Sequence, residues 1–528
     1  MTLHGALRNE CRYRWVMAIL RMMALMLVVT GCSGNLPRAD DSRMADMSPN
    51  TTGYLAGLLA RERPASDALS GYYVLDGGDE ALRIRTAMVD AAEHSIDAQY
   101  YIWSDDRSGR YLAGRMLRAA DRGVQVRLLL DDINLAPVAE LMTLLDRHPR
   151  IEVRVFNPSA SRDGLGRWWS LIRDFQRINR RMHNKALISD GVAGIVGGRN
   201  IGDEYFGLHE QRYFADRDVF ALGPVVEDMG AGFSAYWNSR WSLAISELYP
   251  SSPSPRDVAA DLGTLRDASE QPGDWPFAIP ETPEGARVEL NQFAGHLQWA
   301  EGELIFDPPT EDMDAPADQP KQTARALYDL AQTAKEEILI ESAYLVLAEE
   351  QLAQLASLPA FDRLRIVALT NSLASNDLVT NHSAYARWRR AMLKQGIELY
   401  ELRPEAPICL RWLKDRGFCD DGTVSLHSKS VVIDRKTVVI GSFNVNLRSI
   451  YLNGETLLIV RSPELADQLA DKLMQTIKPW NSWQVTLDEN GEPLWQGADG
   501  PFHHEPRVGW WRRFTSSVLS LLPIEKYL

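Results

Sequence analysis

The chain has 528 residues, of which 45% are hydrophobic and 24% charged. That composition excludes a disordered or collagen-like protein, and the length exceeds what one ordinary core holds. The formal charge of −14 argues against a protein built to grip nucleic-acid phosphates, although a local basic cleft remains compatible with it.

The N-terminus reads as an address. Arg8, Arg12, Arg14 and Arg21 lead into a short apolar run, Met22 to Val29, and then into Thr30-Gly31-Cys32. This is the charged, apolar, small-residue layout of an export signal, and the run is too short to span a bilayer. Its end is similar to a bacterial lipobox, which implies lipidation of Cys32 and a membrane-anchored lipoprotein of the bacterial cell envelope facing the periplasm. Arg21 interrupts the apolar run, so a start at Met17 or Met22 is an alternative; a buried segment with a chance cysteine is the plainer reading. Residues 1–32 are thus expected to be signal and 33–70 a tether with some helix near Tyr54–Arg61. Cys409 and Cys419 fit a disulfide or two separate thiols equally well.

From residue 71 an α/β pattern sets in. A helix is expected over Ala81–Glu93, a strand over Ser95–Trp103, a helix over Gly109–Arg122 and a buried strand over Val124–Leu130. Leu141–Arg147 and Ile151–Phe156 continue it. After residue 250 the pattern breaks at Ser251–Pro255 and Gln271–Pro276, which places a linker at 251–285. It then restarts, with a helix at Ala324–Lys335 and strands at Glu337–Tyr344 and Leu364–Thr370. Ile96 aligns with Ile338 and Val124 with Leu364, offsets of 242 and 240. A near-constant offset signals internal duplication. The expected fold is therefore two tandem α-β-α sandwich domains, 71–250 and 286–480, related by a pseudo-twofold axis, with a C-terminal extension over 481–528.

The duplication carries a motif. His183-Asn-Lys185, Asp190 and Gly197-Gly-Arg-Asn200 repeat as His427-Ser-Lys429, Asp434 and Gly441-Ser-Phe-Asn444, and the two histidines lie 244 residues apart. In extended chain, residues two apart share a face, so each histidine projects with its lysine. A hairpin then returns the Gly-flanked loop beside them, offering neutral donors to an oxyanion. One such half cannot readily split a phosphodiester, because displacement needs a nucleophile on one side of phosphorus and a proton donor on the other. Two halves face to face supply a histidine for each task. No cluster at metal-ligand spacing is evident, so no metal or other cofactor is expected and the cations are the lysines. A degenerate duplication holding two satisfied core histidines is the bland alternative, and the retention of every histidine, lysine, aspartate and asparagine in both copies speaks against it.

HxKx4D followed after six residues by GSxN resembles the phospholipase D superfamily, and both copies carry it. The resemblance implies a covalent phosphohistidine on one copy and a general acid and base on the other. It assigns His183, Lys185 and Asn200 to one half-site and His427, Lys429, Ser442 and Asn444 to the other, with Asn200, Ser442 and Asn444 on phosphate. Asp190 and Asp434 belong to the motif as mainly structural members. Gly198 departs from the pattern, since a serine is usual there. An imidazole nucleophile also needs an acceptor behind it. Asp216 and Glu455, each opening the strand downstream of its own motif, are the candidates, with Asp203 and Glu204 competing in the first half.

Gly197–Phe206, Asp307-Pro-Pro309, Thr370–Asp377, Leu399–Pro404 and the ending Leu522–Glu525 are further similar to bacterial cardiolipin synthases of the C type, over roughly residues 70–528. That resemblance implies phosphatidyl transfer to the glycerol hydroxyl of phosphatidylglycerol, with phosphatidylethanolamine as donor. In this scheme His183 attacks phosphorus while His427 serves the leaving and entering oxygens, although near-symmetry gives no sequence reason to prefer that order. His382 and Tyr385 match a stretch seen in these relatives, which would put them near the acceptor, although an ordinary helix start with a solvated histidine is the plainer reading. The tail Val508–Leu522 suits an interfacial helix on a membrane surface, or a helix docked on the body. A hydrolase or secreted nuclease would share the catalytic residues, and a lipid-binding lipoprotein would not need them. The expected partners are phospholipids and a membrane surface, not nucleic acid.

Overall fold

Six of the described strands, Ser95–Tyr100, Ile151–Phe156, Ala186–Ser189, Ala193–Gly197, Asp218–Leu222 and Lys429–Ile433, are buried at every residue, as a sheet covered by helices demands. The computed structural model describes residues 42–44, 46–66, 68–159, 174–250, 255–270, 275–408, 422–522 and 525–527. Cys32, Cys409 and Cys419 lie outside the described residues. Both repeats fall within one compact unit, Ala39–Pro158 with Gln176–Leu528.

The first half contributes β1 (Ser70–Leu75), β2 (Ser95–Tyr100), β3 (Gln125–Asp131), β4 (Ile151–Phe156), β5 (Ala186–Ser189), β6 (Ala193–Gly197), β7 (Arg212–Ala215), β8 (Asp218–Leu222) and β9 (Ser242–Ala244). The second contributes β10 (Gln298–Phe306), β11 (Glu337–Ser342), β12 (Arg365–Asn371), β13 (Glu398–Leu402), β14 (Thr423–Leu426), β15 (Lys429–Ile433), β16 (Thr437–Gly441), β17 (Thr456–Arg461), β18 (Ser482–Leu487), β19 (Pro493–Gly497) and β20 (Gly500–Phe502). β1 and β10 pair antiparallel, joining the halves into one continuous sheet. Outward from that junction the first half runs β1-β8-β6-β5-β2-β3-β4-β9. The second runs β10-β17-β16-β15-β11-β12-β13-β18, with β19 and β20 appended. The two orders correspond strand for strand, which is the pseudo-twofold relation.

One apolar cluster is shared between the halves. It combines Ile188, Val196, Val219 and Met229 with Val432, Val438, Leu458 and Leu469, and the helices Val225–Trp237 and Pro463–Thr476 both contribute to it. Parting the halves would expose that core, so the repeats fold as one body rather than as beads on a linker. Within 251–285 the structure describes a helix, Pro255–Glu270, that buries Leu262 and Leu265. The stretch read as a tether packs from residue 42 onward: Ser42 donates to Glu152 and the helix Tyr54–Glu62 buries Leu55 and Leu58. Both stretches are polar on average, yet a few well-spaced leucines suffice to dock them.

Each motif sits on a tight hairpin, β5–β6 or β15–β16, whose turn begins with the motif aspartate. Asp190 and Asp434 adopt φ of 56° and 50°, a left-handed conformation that aspartate tolerates. Their carboxylates accept the backbone N–H groups of Glu93, His94 and Ser95, and of Lys335, Glu336 and Glu337. They lie at the far end of the strand from the histidine. Their work is to pin β2 and β11 against the hairpin.

Candidate active site

The start of each motif is held by the opposite half. β7 and β14 pair in parallel across the seam, with Ala215 opposite Leu426. The next residues are Asp216 and His427. A parallel bridge likewise sets Met182 opposite Gly454, and the next residues are His183 and Glu455. Main-chain bonds fix both steps: His183 N donates to Gly454 O at 2.8 Å, and His427 N to Ala215 O at 2.8 Å.

The orienting acids are consequently exchanged. His183 Nδ1 lies 2.8 Å from Glu455 Oε2, while His427 Nδ1 bonds Asp216 Oδ2. Asp216 and Glu455 do face imidazoles, but each serves the other half's histidine, not the one in its own repeat. Separation along the chain was misleading because the short parallel pairings brought together residues more than two hundred positions apart. Asp203 and Glu204 do neither task. Asp203 accepts Ser108 N at 2.8 Å at the start of the helix Arg107–Asp121, and Glu204 pairs with Arg212 toward solvent.

The two acids are held differently. Glu455 Oε2 accepts Ser442 Oγ at 2.5 Å, and its Oε1 accepts Ser449 Oγ at 2.7 Å and Asn453 Nδ2 at 3.1 Å. Asp307 clasps the same residue through its backbone, accepting Glu455 N at 3.1 Å. Asp216 Oδ1 accepts the Arg217 N–H at 2.8 Å, and Arg217 reaches across to Ser430 and Glu341 of the second half. Ser442 was expected on phosphate. Its hydroxyl instead donates to Glu455 and accepts Thr456 N at 3.0 Å, so both of its functions are engaged. The departure at Gly198 has a matching reason: a Cβ there would come within 2.2 Å of Asp216 Oδ1, so the shorter acid occupies the space a serine would need.

Both histidines are nearly buried, at 7% and 6% exposure, and that burial dominates their electrostatics. Desolvation, aided by Lys185, lowers His183 to about 4 against the pull of Glu455. Desolvation and Lys429 also lower His427, against Asp216. Lys185 is lowered to about 7 and Lys429 is lowered as well, both chiefly by desolvation. Burial opposes charge on Glu455 and Asp216, yet the histidines and lysines outweigh it and hold both carboxyls below their ordinary values. Each lysine ammonium donates to the carbonyl of its own histidine, which leaves further donors on each. Lys429 Nζ is also 3.1 Å from His427 Nδ1. An arriving phosphate anion would supply the countercharge that these desolvated cations lack.

Of the two motif asparagines, Asn200 donates to Tyr205 Oη at 2.9 Å and accepts Ile102 N at 3.2 Å. Asn444 is buried, and its Oδ1 has no hydrogen-bond partner among the described residues. An amide oxygen cannot bond a phosphate oxygen, so any contact from Asn444 to an oxyanion falls to its Nδ2.

Several residues were not anticipated. Tyr101 meets His183 edge to face at 4.8 Å between ring centres, and Tyr205 meets His427 at 5.3 Å. The ends of β3 and β12 brace the residue before each histidine: Asp131 Oδ2 accepts Met182 N at 2.8 Å, and Asn371 Oδ1 accepts Leu426 N at 2.8 Å. Asp131 and Asn371 differ by 240, the repeat offset itself, which was the signal available for finding them. His382 is not the solvated helix-start histidine that its sequence position suggests. It is fully buried in the helix Val379–Lys394 and bonds Glu505 of the C-terminal extension at 3.2 Å, while Tyr385 donates to Glu401 at 3.0 Å.

A family model described as cardiolipin synthase, phospholipase D-like domain matches residues 86–233 and again 327–477. Cardiolipin synthase C of Escherichia coli K12 is 40% identical over 468 residues, covering 86% of this chain and 95% of that protein. The major cardiolipin synthase of Bacillus subtilis 168 is 25% identical over 432 residues, covering 80% of this chain and 71% of its own. The crystal structure of phosphatidylserine synthase from Haemophilus influenzae Rd KW20 superposes with a TM-score of 0.56 at 13% identity, covering 90% of this chain and all of that one. The last likeness concerns the fold.

Proposed function

The chain belongs to the cardiolipin synthase, phospholipase D-like family, and on that premise we propose that it makes cardiolipin from phosphatidylglycerol and a second phospholipid, phosphatidylethanolamine. The observation that carries the reading is the seam: two imidazoles, each backed by the other half's carboxylate, with two desolvated lysines beside them. His183, with its Nδ1 proton on Glu455, turns the Nε2 lone pair to phosphorus. A P–N bond forms as the P–O bond to the donor's head group breaks, and His427 gives its Nε2 proton to the departing oxygen. The glycerol hydroxyl of phosphatidylglycerol then enters on the same side. His427 takes its proton, the oxygen attacks phosphorus, and the P–N bond breaks to release cardiolipin. Lys185, Lys429 and Asn444 meet the non-bridging oxygens.

We infer the order of the histidines from how the acids are held. Three side-chain donors stabilise the charge of Glu455 and weaken it as a proton acceptor, so it orients His183 and leaves it neutral. Asp216 has no such side-chain donors besides His427 among the described residues, and supports an imidazolium better.

Membrane attachment through a lipidated Cys32 in the periplasmic face of the envelope completes the proposal, together with a surface at the C-terminus. The helix Trp510–Leu519 docks by Ser516 and Arg512 on the body while Trp510, Trp511 and Leu521 stand 71%, 64% and 78% exposed. Aromatic and leucine side chains beside Arg513 suit the headgroup boundary of a bilayer. Among the described residues no helix is long and apolar enough to cross a membrane. Incubation with labelled phosphatidylglycerol, with and without phosphatidylethanolamine, tests the activity. Cardiolipin formed most rapidly with both lipids supports it, phosphatidic acid alone would make the enzyme a hydrolase, and no product would leave a lipid-binding protein.

A further inference from the structure

The two sides of the seam differ in charge beyond the motifs. On the His183 side stands Arg448, whose guanidinium donates to the neutral acceptors Asn179 Oδ1, at 3.2 Å, and Tyr527 O, at 2.9 Å. It makes no ion pair among the described residues, and it lies close enough to Tyr101, Arg181 and Glu455 for their charges to act on it. On the His427 side stands Asp377. Its one hydrogen-bond donor among the described residues is the Tyr344 phenol, 2.9 Å from each carboxylate oxygen. A carboxylate accepts about four hydrogen bonds, so most of its capacity is open.

Topology places Asp377 beside the reacting centre. β11 pairs antiparallel with β15 so that Ser342 faces Lys429, and the chain then bends through Ala343 and Tyr344, where Ser342 Oγ donates to Tyr344 O at 2.9 Å. The loop after β12 that carries Asp377 is tied to the same point: Asn371 grips Leu426 through both N–H and C=O, and Ser425 Oγ donates to Ser375 O at 2.6 Å. Arg512 of the C-terminal helix fastens the loop from the other side by donating to Asn376 O. The charge of Asp377 acts on Lys429 and Tyr205 at the site and on the Arg512 guanidinium of the C-terminal helix. Ligands of α/β sheets gather at such loops, beyond the carboxyl ends of parallel strands. Displaced by the repeat offset of 240, the corresponding position in the first half is Pro137, so only one half-site carries this carboxylate.

We propose that Asp377, positioned by Tyr344, is a specificity residue that receives the ammonium of the donor lipid's head group as that group leaves toward His427. The inference rests on the reading above, in which His427 faces the leaving oxygen. A carboxylate held by a phenol with acceptor capacity to spare is the chemistry that favours a primary ammonium over a neutral polyol. The aromatic face of the C-terminal helix would put this mouth at the bilayer surface, because the same helix holds the loop through Arg512. Ethanolamine then departs as a cation past an anion, whereas a glycerol head group gains only hydrogen bonds there.

The test compares the full-length wild type with Asp377→Asn and Tyr344→Phe in vesicles. One set contains labelled phosphatidylglycerol alone and the other an equal amount of phosphatidylethanolamine, with cardiolipin, free glycerol and free ethanolamine all quantified. Asn keeps the shape and the acceptor oxygen but removes the charge. The expected result is a drop of about 10-fold in ethanolamine release with glycerol release unchanged, the order expected for losing one partly shielded ion pair. Tyr344→Phe should shift the ratio a few-fold in the same direction, and it carries the test if the first variant does not fold. An equal loss of both head groups in the two variants would make Asp377 a structural residue and overturn the proposal, as would an unchanged ratio. Because ethanolamine and glycerol are counted whether or not cardiolipin forms, an enzyme that only hydrolyses would sink the transferase reading without hiding the answer for Asp377.

Discussion

The two half-sites have the same strand order, the same hairpin and the same brace before the histidine, yet they hold their acids in opposite ways. Glu455 is surrounded by Ser442, Ser449 and Asn453; Asp216 sits against a glycine. A longer acid with three donors is a well-satisfied anion that fixes a neutral imidazole. A shorter acid with fewer donors is a better companion for a charged one. On the proposed reading, the difference teaches that a duplicated site would acquire directionality through what stands behind the reacting residues, while those residues remain identical.

Substitutions of the histidines should separate the halves most sharply. His183→Asn is expected to lower transfer by roughly 10³-fold or more with any donor, lipid or p-nitrophenyl phosphodiester. His427→Asn should lose as much with lipids and far less with p-nitrophenyl esters, whose leaving group needs no proton. If both variants fail equally on the activated ester, the division of labour is wrong.

Next in size is the exchange of acids. Glu455→Gln should cost roughly 10²-fold with both kinds of donor, because it acts on the nucleophile in the other repeat, while Asp216→Asn should cost that much only with lipid donors. Inversion of this pattern in steady-state kinetics would reverse the two histidines.

A smaller effect is expected in the pH profile. Since His183 is lowered to about 4, it stays neutral as pH falls through the ordinary histidine range. The acid limb of kcat/KM, where the nucleophile is lost by protonation, should therefore lie well below 6.5. Ser442→Ala removes a donor from Glu455 and makes it more basic, which favours the imidazolium. The limb should move up by about half to one pH unit. A downward shift would contradict the account of Glu455.

Smallest is Gly198→Ser, which restores the usual motif residue. Its Cβ would crowd Asp216, so lipid transfer should fall by about 10-fold with the p-nitrophenyl ester little affected. An increase in lipid transfer would show that Asp216 can move aside without loss.

Much of this was already written in the chain. The repeat offset, the apolar strands and the spacing of histidine, lysine and asparagine follow from local periodicity, which is a property of neighbouring residues and needs no tertiary knowledge. Ile151–Phe156 is a strand in the structure as its apolar run requires, and the hairpin after each lysine follows from the aspartate that turns it. Which acid serves which histidine was decided only by the fold. Ala215 meets Leu426 and Met182 meets Gly454 through pairings of a few residues, too short to leave a pattern and set by the shared core that presses the halves together. Proximity across a seam depends on the packing of the whole body, and no count of residues along one strand contains it.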